Sequence, residues 1–382
     1  MAGIYVHIPF CRRACSYCNF HYSTNTSRKG DLINAITNEI RLRRDYLGGE
    51  RVNTIYFGGG TPSLLSKDEI DSIIRAIYEN FDVLELDEFT FEANPDDLNE
   101  VYIGILKSTP ITRLSIGTQS FRDQDLQYMG RVHSSSQASQ AIQLAKTIGF
   151  DNITVDLIYG VPGLDDKSWV GNINKISEMG INHFSAYALT VEAKTKLHYD
   201  VNIKRNTIID AGQSVAQFEI LMNLSAELGF VQYEISNFAR PGYEAIHNSN
   251  YWNGEKYLGV GPGAHSYNGI ARHWNIANNA LYTKSLLSGM LPESDQEVLT
   301  DTQRLNELIM ISLRTRHGLD LKRVESGWGI LFCDELIRNS QDFVNKGWLY
   351  PDQHKLMLTT KGKLFADKIA SELFFLDQTI YK

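Results

Sequence analysis

The sequence predicts an α/β fold: an incomplete barrel of six parallel strands with intervening helices, a partial (β/α)6 arrangement, followed by a small, mainly helical C-terminal module. Three observations carry that expectation. Short apolar runs alternate with helical patterns through the first half of the chain, as in βαβ units around a parallel sheet. The runs number six, not the eight of a closed (β/α)8 barrel; a flat doubly wound sheet is the competing topology. From residue 298 the pattern changes to helices with one hairpin-like stretch.

Strands are expected at 3–9, 52–57, 87–93, 112–118, 153–159 and 182–189, where β-branched and aromatic residues cluster. Helices are expected between them at 31–47, 67–80, 97–108, 135–148 and 167–179. Residues 208–228 read as an amphipathic helix that ends at Gly229. The aromatic, glycine-rich segment 233–275 shows no clear period and reads as irregular structure packed on the barrel. A helix at 276–287 precedes a break at Gly289-Met290-Leu291-Pro292. The alternation at 347–360 suits the wing of a winged-helix-like module; wings often bind DNA, but the segment is not strongly basic, so packing or gating is the expected role. The chain divides on this reading into 1–232, 233–297 and 298–382, with no internal repeats.

Composition narrows the class. The 382 residues carry 37 basic and 45 acidic side chains, a net charge of −8, and are 43% hydrophobic. That supports a buried core and excludes a disordered chain or a disulfide-stapled miniprotein. The acidic balance argues against a dominant nucleic-acid surface, so no nucleic-acid partner is expected. No apolar run reaches the ~18 residues of a membrane span. The first ten residues lack a basic n-region and run straight into cysteines, which reads as neither signal nor transit peptide. A soluble cytoplasmic protein is expected.

Three of the four cysteines, Cys11, Cys15 and Cys18, form a C-x₃-C-x₂-C loop after the first strand. Three thiolates in one loop can cap three irons of a 4Fe-4S cubane and leave the fourth open. Zinc would want four protein ligands, with His21 or Cys333 as candidates to complete the set. Arg12 and Arg13 would lower the thiol pKa values, although solvent-facing arginines are the plainer reading. Other strands end at Gly58-Gly59-Gly60-Thr61-Pro62, at Glu92, at Gln119 and, through Asp156, at Gly160. Each alone is ordinary turn chemistry. Together, at one end of consecutive strands, they point to one site.

The loop and its lead-in, Tyr5-Val6-His7-Ile8-Pro9-Phe10-Cys11, resemble radical S-adenosylmethionine (SAM) proteins, in the branch that holds oxygen-independent coproporphyrinogen III dehydrogenase and the HemW-type heme chaperones. The same resemblance runs through Gly58–Pro62, Phe91-Glu92-Ala93-Asn94-Pro95, Gly117-Thr118-Gln119-Ser120-Phe121 and Asp156-Leu157-Ile158-Tyr159-Gly160-Val161-Pro162-Gly163, and on through the C-terminal module. It implies a radical SAM barrel whose open iron is chelated by SAM. It also implies that Gly59, Gly60, Thr61 and Glu92 contact SAM, that Arg131 grips its carboxylate, and that Gln119 and Asp156 meet the ribose. Thr190 would lie on the adenine side and Tyr5 at the cluster–SAM junction. Tyr5 and Thr190, taken singly, read equally well as ordinary strand residues.

Two departures separate the chain from the dehydrogenase. Phe20 stands where that enzyme has a further cysteine, and ten residues before Cys11 leave no room for its N-terminal extension. Toward heme, His247-Asn248-Ser249-Asn250-Tyr251-Trp252 is similar to the H-N-x-x-Y-W signature of the chaperone branch, which implies His247 as a heme ligand. His265 and His273 are rival ligands. The expectation is a heme chaperone that binds a 4Fe-4S cluster, SAM and heme, with no catalytic residue assigned. The alternatives are the dehydrogenase itself and a zinc-binding structural protein. The resemblance suggests a respiratory, membrane-associated protein as heme acceptor, and family analogy alone suggests a homodimer. Cys333 is expected to pack in its apolar surroundings.

Overall fold

The computed structural model describes residues 1–204 and 209–376, so residue 208 of the expected helix 208–228 lies outside the described residues. Strands β1 (Ala2–Ile8), β2 (Val52–Gly59), β3 (Glu88–Ala93), β4 (Arg113–Gln119), β5 (Asn152–Tyr159) and β6 (His183–Ala188) lie side by side in that order, each parallel to the next. Their near-continuous burial fits a parallel sheet covered on both faces. The expected six strands are therefore present, with helices Lys29–Leu42, Lys67–Asn80, Glu100–Lys107, Ser135–Ile148 and Asp166–Glu178 between them. Local chemistry starts and stops these helices. Ser66 and Ser134 form capping boxes with Glu69 and Gln137, and Gly149 ends its helix in the left-handed conformation. A further helix, Asp123–Met129, was not expected.

The sheet does not stop at six strands. Beyond β6 comes β8 (Asn237–Ala239), antiparallel, then β7 (Val231–Glu234). Beyond β1 comes β9 (Lys256–Val260), parallel, then β10 (His265–Tyr267), β11 (Ala271–Asn275) and β12 (Ser294–Val298), all antiparallel. The result is a 12-stranded open sheet. Segment 233–275 is thus not irregular, a correction to the sequence reading: it holds β8 to β11 and a helix, Ile246–Asn253. Strands of three to five residues, broken by glycines, are too short to display a period.

Two large apolar cores result among the described residues, beside a small cluster of Tyr233, Ala239 and Ala245. One lies between the sheet and its helices; the other lies within the C-terminal module, and Ile235 packs against both. The module consists of helices Asp301–Leu313, Leu321–Trp328, Ile330–Asn345, Thr360–Lys363 and Ala366–Glu372 with β13 (Leu319–Asp320), β14 (Leu349–Asp352) and β15 (Lys355–Leu358) as its wing. Cys333 is buried there, its Sγ 3.8 Å from the Leu321 carbonyl oxygen, as expected of a packed thiol. No helix of the described residues is long and apolar enough to cross a membrane.

Candidate functional site

The C-terminal ends of β1 to β6 open into a cavity of about 560 Å³. The residues expected to hold cluster and SAM, together with His247, line it: Tyr5, Cys11, Cys15, Cys18, Gly59, Gly60, Thr61, Glu92, Gln119, Arg131, Asp156, Thr190 and His247; the rival candidates His21, His265, His273 and Cys333 do not. The parallel topology explains the convergence, because it brings the same end of consecutive strands to one face.

The cysteine loop is pinned at its base. Cys11 N–H donates to the Ser23 carbonyl at 3.1 Å, and Ser23 N–H to that of Pro9 at 2.8 Å. Ser16 ties the loop's middle to Met129 and Leu197 through backbone bonds of 3.0 and 2.8 Å. The cation beside the thiols is Arg131, whose Nη1 lies 3.4 Å from Cys15 Sγ; the Thr61 hydroxyl lies 3.5 Å from Cys11 Sγ. Arg12 instead pairs with Asp97 at 2.7 Å. The expected lowering of the thiol pKa values by Arg12 and Arg13 therefore fails: burial, ahead of every other cause, pushes the Cys11 thiol up to about 11 and raises Cys18 as well. No three Cys, His, Asp or Glu side chains among the described residues converge on one point as ligands of a single ion would. A cubane asks for something else, since its thiolates bind separate irons and stand further apart.

The Gly58–Gly60 turn runs out of β2 against the end of β1. A Cβ at Gly60 would stand 2.6 Å from the Phe10 carbonyl oxygen and 2.7 Å from that of Ile8, and one at Gly58 would meet Glu92 Oε1 at 2.8 Å. Gly59 has φ of 104°, a conformation that glycine adopts without strain. The glycines are thus required by the chain's own packing, quite apart from any ligand. Glu92 accepts hydrogen bonds from Tyr56 Oη at 2.7 Å and from Gly59 N–H at 3.2 Å. Burial raises its pKa to about 7, the Tyr56 bond opposing and Asp156 adding to the rise. Among the described residues no cation acts on Glu92, so an incoming ammonium group would relieve it. Asp156 is raised by burial too, and accepts from the Ser115 hydroxyl at 3.3 Å.

Arg131 is held by Asn94 Oδ1 at 2.5 Å and the Gly117 carbonyl at 2.8 Å, while its Nε is buried without a hydrogen-bond partner. Gln119 ends β4 at φ 68°, uncommon for a residue with a side chain and placed where the β4–β5 register shifts. Thr190 lies just past β6 and is exposed. Tyr5 Oη bonds His7 Nδ1 at 3.1 Å. Tyr56 and Asn94 were missed as site residues. Asn94, which bridges Thr61 and Arg131, stood inside a motif already quoted; Tyr56 carried no signal of its own.

His247, read from the sequence as an iron ligand, is 2% exposed and has both ring nitrogens engaged. Nδ1 shares a hydrogen bond with Thr54 Oγ1 at 2.9 Å, and Nε2 one with Tyr251 Oη at 2.9 Å. The His-x-x-x-Tyr spacing places the phenol one helical turn from the imidazole. Two N–H groups at that helix's start donate to the buried Glu88 carboxylate at 2.9 and 3.1 Å, which caps it from β3. Burial, above all, holds the His247 ring down to about 4, and so neutral. Iron ligation there would have to displace Thr54 or Tyr251.

A second cavity, of about 1090 Å³, adjoins the first and lies between β9 to β11 and the C-terminal module. Tyr251, Trp252, Tyr257, Tyr267 and Trp328 contribute to its walls, and Tyr5, Asn19, Phe20 and Tyr251 border both cavities. Phe20 is 67% exposed, an apolar ring at the junction and not a thiol.

Residues 5–176 match the Radical SAM superfamily, and residues 299–365 match the HemN C-terminal domain. The chain is 34% identical over 374 residues to the heme chaperone HemW of Bacillus subtilis (strain 168), covering 97% of this chain and 98% of that one. It is 29% identical over 381 residues to the heme chaperone HemW of Escherichia coli (strain K12), covering 97% of each. Among solved structures it is similar to the coproporphyrinogen III oxidase HemN from Escherichia coli, a radical SAM enzyme, with a TM-score of 0.85 and 22% identity over 98% of this chain and 90% of that one. At that identity the likeness concerns the fold alone.

Proposed function

Because the chain belongs to the family of the heme chaperone HemW and carries a radical SAM domain, we propose that it binds heme and delivers it to an acceptor protein, with a SAM-coordinated 4Fe-4S cluster at the strand ends. Cys11, Cys15 and Cys18 hold the cluster. Gly59, Gly60 and Thr61 receive the methionyl part of SAM, Glu92 its ammonium group, and Arg131, through its unpartnered Nε, its carboxylate. Gln119 and Asp156 take the ribose, Thr190 the adenine side, and Tyr5 closes the junction with the cluster. When bound, the cluster supplies an open iron for SAM and an electron for cleaving its sulfonium bond. The chain's own part is to bury the two carboxylates, so that the cation they attract is held away from water.

The observation that carries the heme reading is the pair of adjoining cavities: one fits cluster and SAM, and the larger, aromatic one leaves room for a porphyrin beside Phe20. Residues 1–232 serve the cluster and SAM, 233–297 the heme, and 298–382 form the module over it. The protein acts in the cytoplasm and has no nucleic-acid partner. A respiratory, membrane-associated acceptor and a homodimer are the extensions that family analogy suggests.

Anaerobic reconstitution with iron and sulfide, followed by hemin titration, tests the reading. Wild type should take up iron, sulfide and one hemin, while Cys15→Ser should lose most of the iron. Zinc without iron or sulfide in anaerobically purified protein would instead identify a structural zinc protein. Protoporphyrinogen formed from coproporphyrinogen III with SAM and a reductant would restore the dehydrogenase reading.

A further inference from the structure

We propose that Tyr56 is a positioning residue of the SAM site: its hydroxyl, passing over Gly58, holds the Glu92 carboxylate where the amino group of SAM arrives. This role presupposes SAM in the first cavity and adds a residue outside the sequence motifs that point there. Successive side chains of β2 face opposite ways. Ile55 and Phe57 are wholly buried in the apolar core, while Tyr56, between them, lines the cavity. The β2–β3 register pairs Tyr56 with Thr90, which puts Glu92 one inward position further along β3. Gly58 lies between the two groups. A Cβ there would stand 2.7 Å from Tyr56 Cε1 and 2.8 Å from Glu92 Oε1, so a bare backbone is what lets phenol and carboxylate meet. They meet at 2.7 Å, Tyr56 Oη donating to Oε1, while Gly59 N–H donates to Oε2 at 3.2 Å. One strand thus fixes both oxygens of a carboxylate carried by its neighbour.

The Tyr56 ring is itself held. It lies against Tyr5, with centroids 5.9 Å apart and planes at 33°, and against His247, with centroids 5.2 Å apart and planes at 32°. Burial, above all, raises the phenol well above its ordinary pKa, so the hydroxyl keeps the proton it donates. Both donors to Glu92 are neutral. They orient the carboxylate and favour its ionised form against burial, without neutralising its charge. A carboxylate has lone pairs for further donors on each oxygen. The amino group of SAM therefore meets an acceptor already oriented, and a charged acceptor makes the stronger bond.

Equilibrium binding of SAM to the anaerobically reconstituted full-length protein tests the assignment, with methylthioadenosine, which keeps the adenosine and lacks the amino group, as the second ligand. Tyr56→Phe should bind SAM about tenfold more weakly than wild type, while methylthioadenosine binds both alike. Once Glu92→Gln is in place, Tyr56→Phe should add little further loss, because the phenol acts through that carboxylate. Equal weakening of both ligands, or losses from the two substitutions that simply add, would make Tyr56 a mere wall of the cavity and overturn the proposal. Wild-type SAM affinity in Tyr56→Phe would overturn it too, and would leave the SAM reading in place. Failure of the wild-type protein to bind SAM would overturn both.

Discussion

At the scale of single residues, the site is built from groups whose ionisation the fold has moved. Glu92 and Asp156 are pressed toward the neutral acid, and His247 toward the neutral base, by burial in each case. His247 makes folding sensitive to acid. Its ring titrates near 6.5 in the unfolded chain and near 4 in the folded one. Between those values the unfolded state binds the extra proton, so stability is complete near pH 7 and falls as pH drops. For this one group the loss between pH 7 and pH 5 is about 2 kcal/mol. His247→Gln should narrow the difference in urea midpoint between those two pH values; an unchanged difference would show that the ring is not buried as a neutral group. The identity of this histidine was legible in the H-N-x-x-Y-W motif. Its partners were not, because Thr54 lies 193 positions away and no periodicity connects the two.

At the scale of elements, the sheet's extension beyond β1 depends on one buried carboxylate. Glu39, on helix Lys29–Leu42, pairs with Arg43 at 2.9 Å and accepts from Asn275 Nδ2 at 2.7 Å, from Gly261 N–H at 2.9 Å, and from the Tyr282 hydroxyl. It thus joins the first helix to the ends of β9 and β11 and to helix Asn279–Leu287. Glu39→Ala would leave Arg43 charged and buried without its partner, at a cost of about 3–5 kcal/mol. Urea denaturation checks this. Since β9 to β11 form one side of the second cavity, the variant should also lose hemin affinity. The sequence shows a glutamate in a helix, which is ordinarily a solvated face, and only the packing of Asn275 and Tyr282 over it makes it a joint. The glycine turn behaves differently. Its three consecutive glycines announce a backbone that must approach something closely, and the structure shows that this includes the end of its own neighbouring strand.

At the scale of the whole molecule, the described residues hold two large apolar cores bridged by Ile235, with the large cavity between them. Beside Ile235, ties across that boundary include polar ones, among them Arg316 with Glu244 at 3.3 Å, Arg272 with Glu307 at 2.7 Å and Lys363 with Gln232 at 2.8 Å. The two parts should therefore melt with incomplete cooperativity. Calorimetry of the heme-free protein should give a calorimetric enthalpy above the van't Hoff value, and bound heme, spanning the boundary, should bring the two closer. Coincident enthalpies without heme would mean that the cores already unfold as one.

The sequence by itself determined the six parallel strands, the three-thiol loop, the glycine turn and the residues that meet at the strand ends. Each of these is written locally, in a spacing, a run or a strand terminus, and parallel topology then brings equivalent ends together. Only the tertiary structure decided that the sheet runs on through short strands on both sides. Only it decided that Arg131 and not Arg12 faces the thiols, and that both ring nitrogens of His247 are engaged by Thr54 and Tyr251. Those outcomes depend on hydrogen-bond partners and buried neighbours contributed from distant parts of the chain, and a buried polar group takes whichever partner the packing delivers.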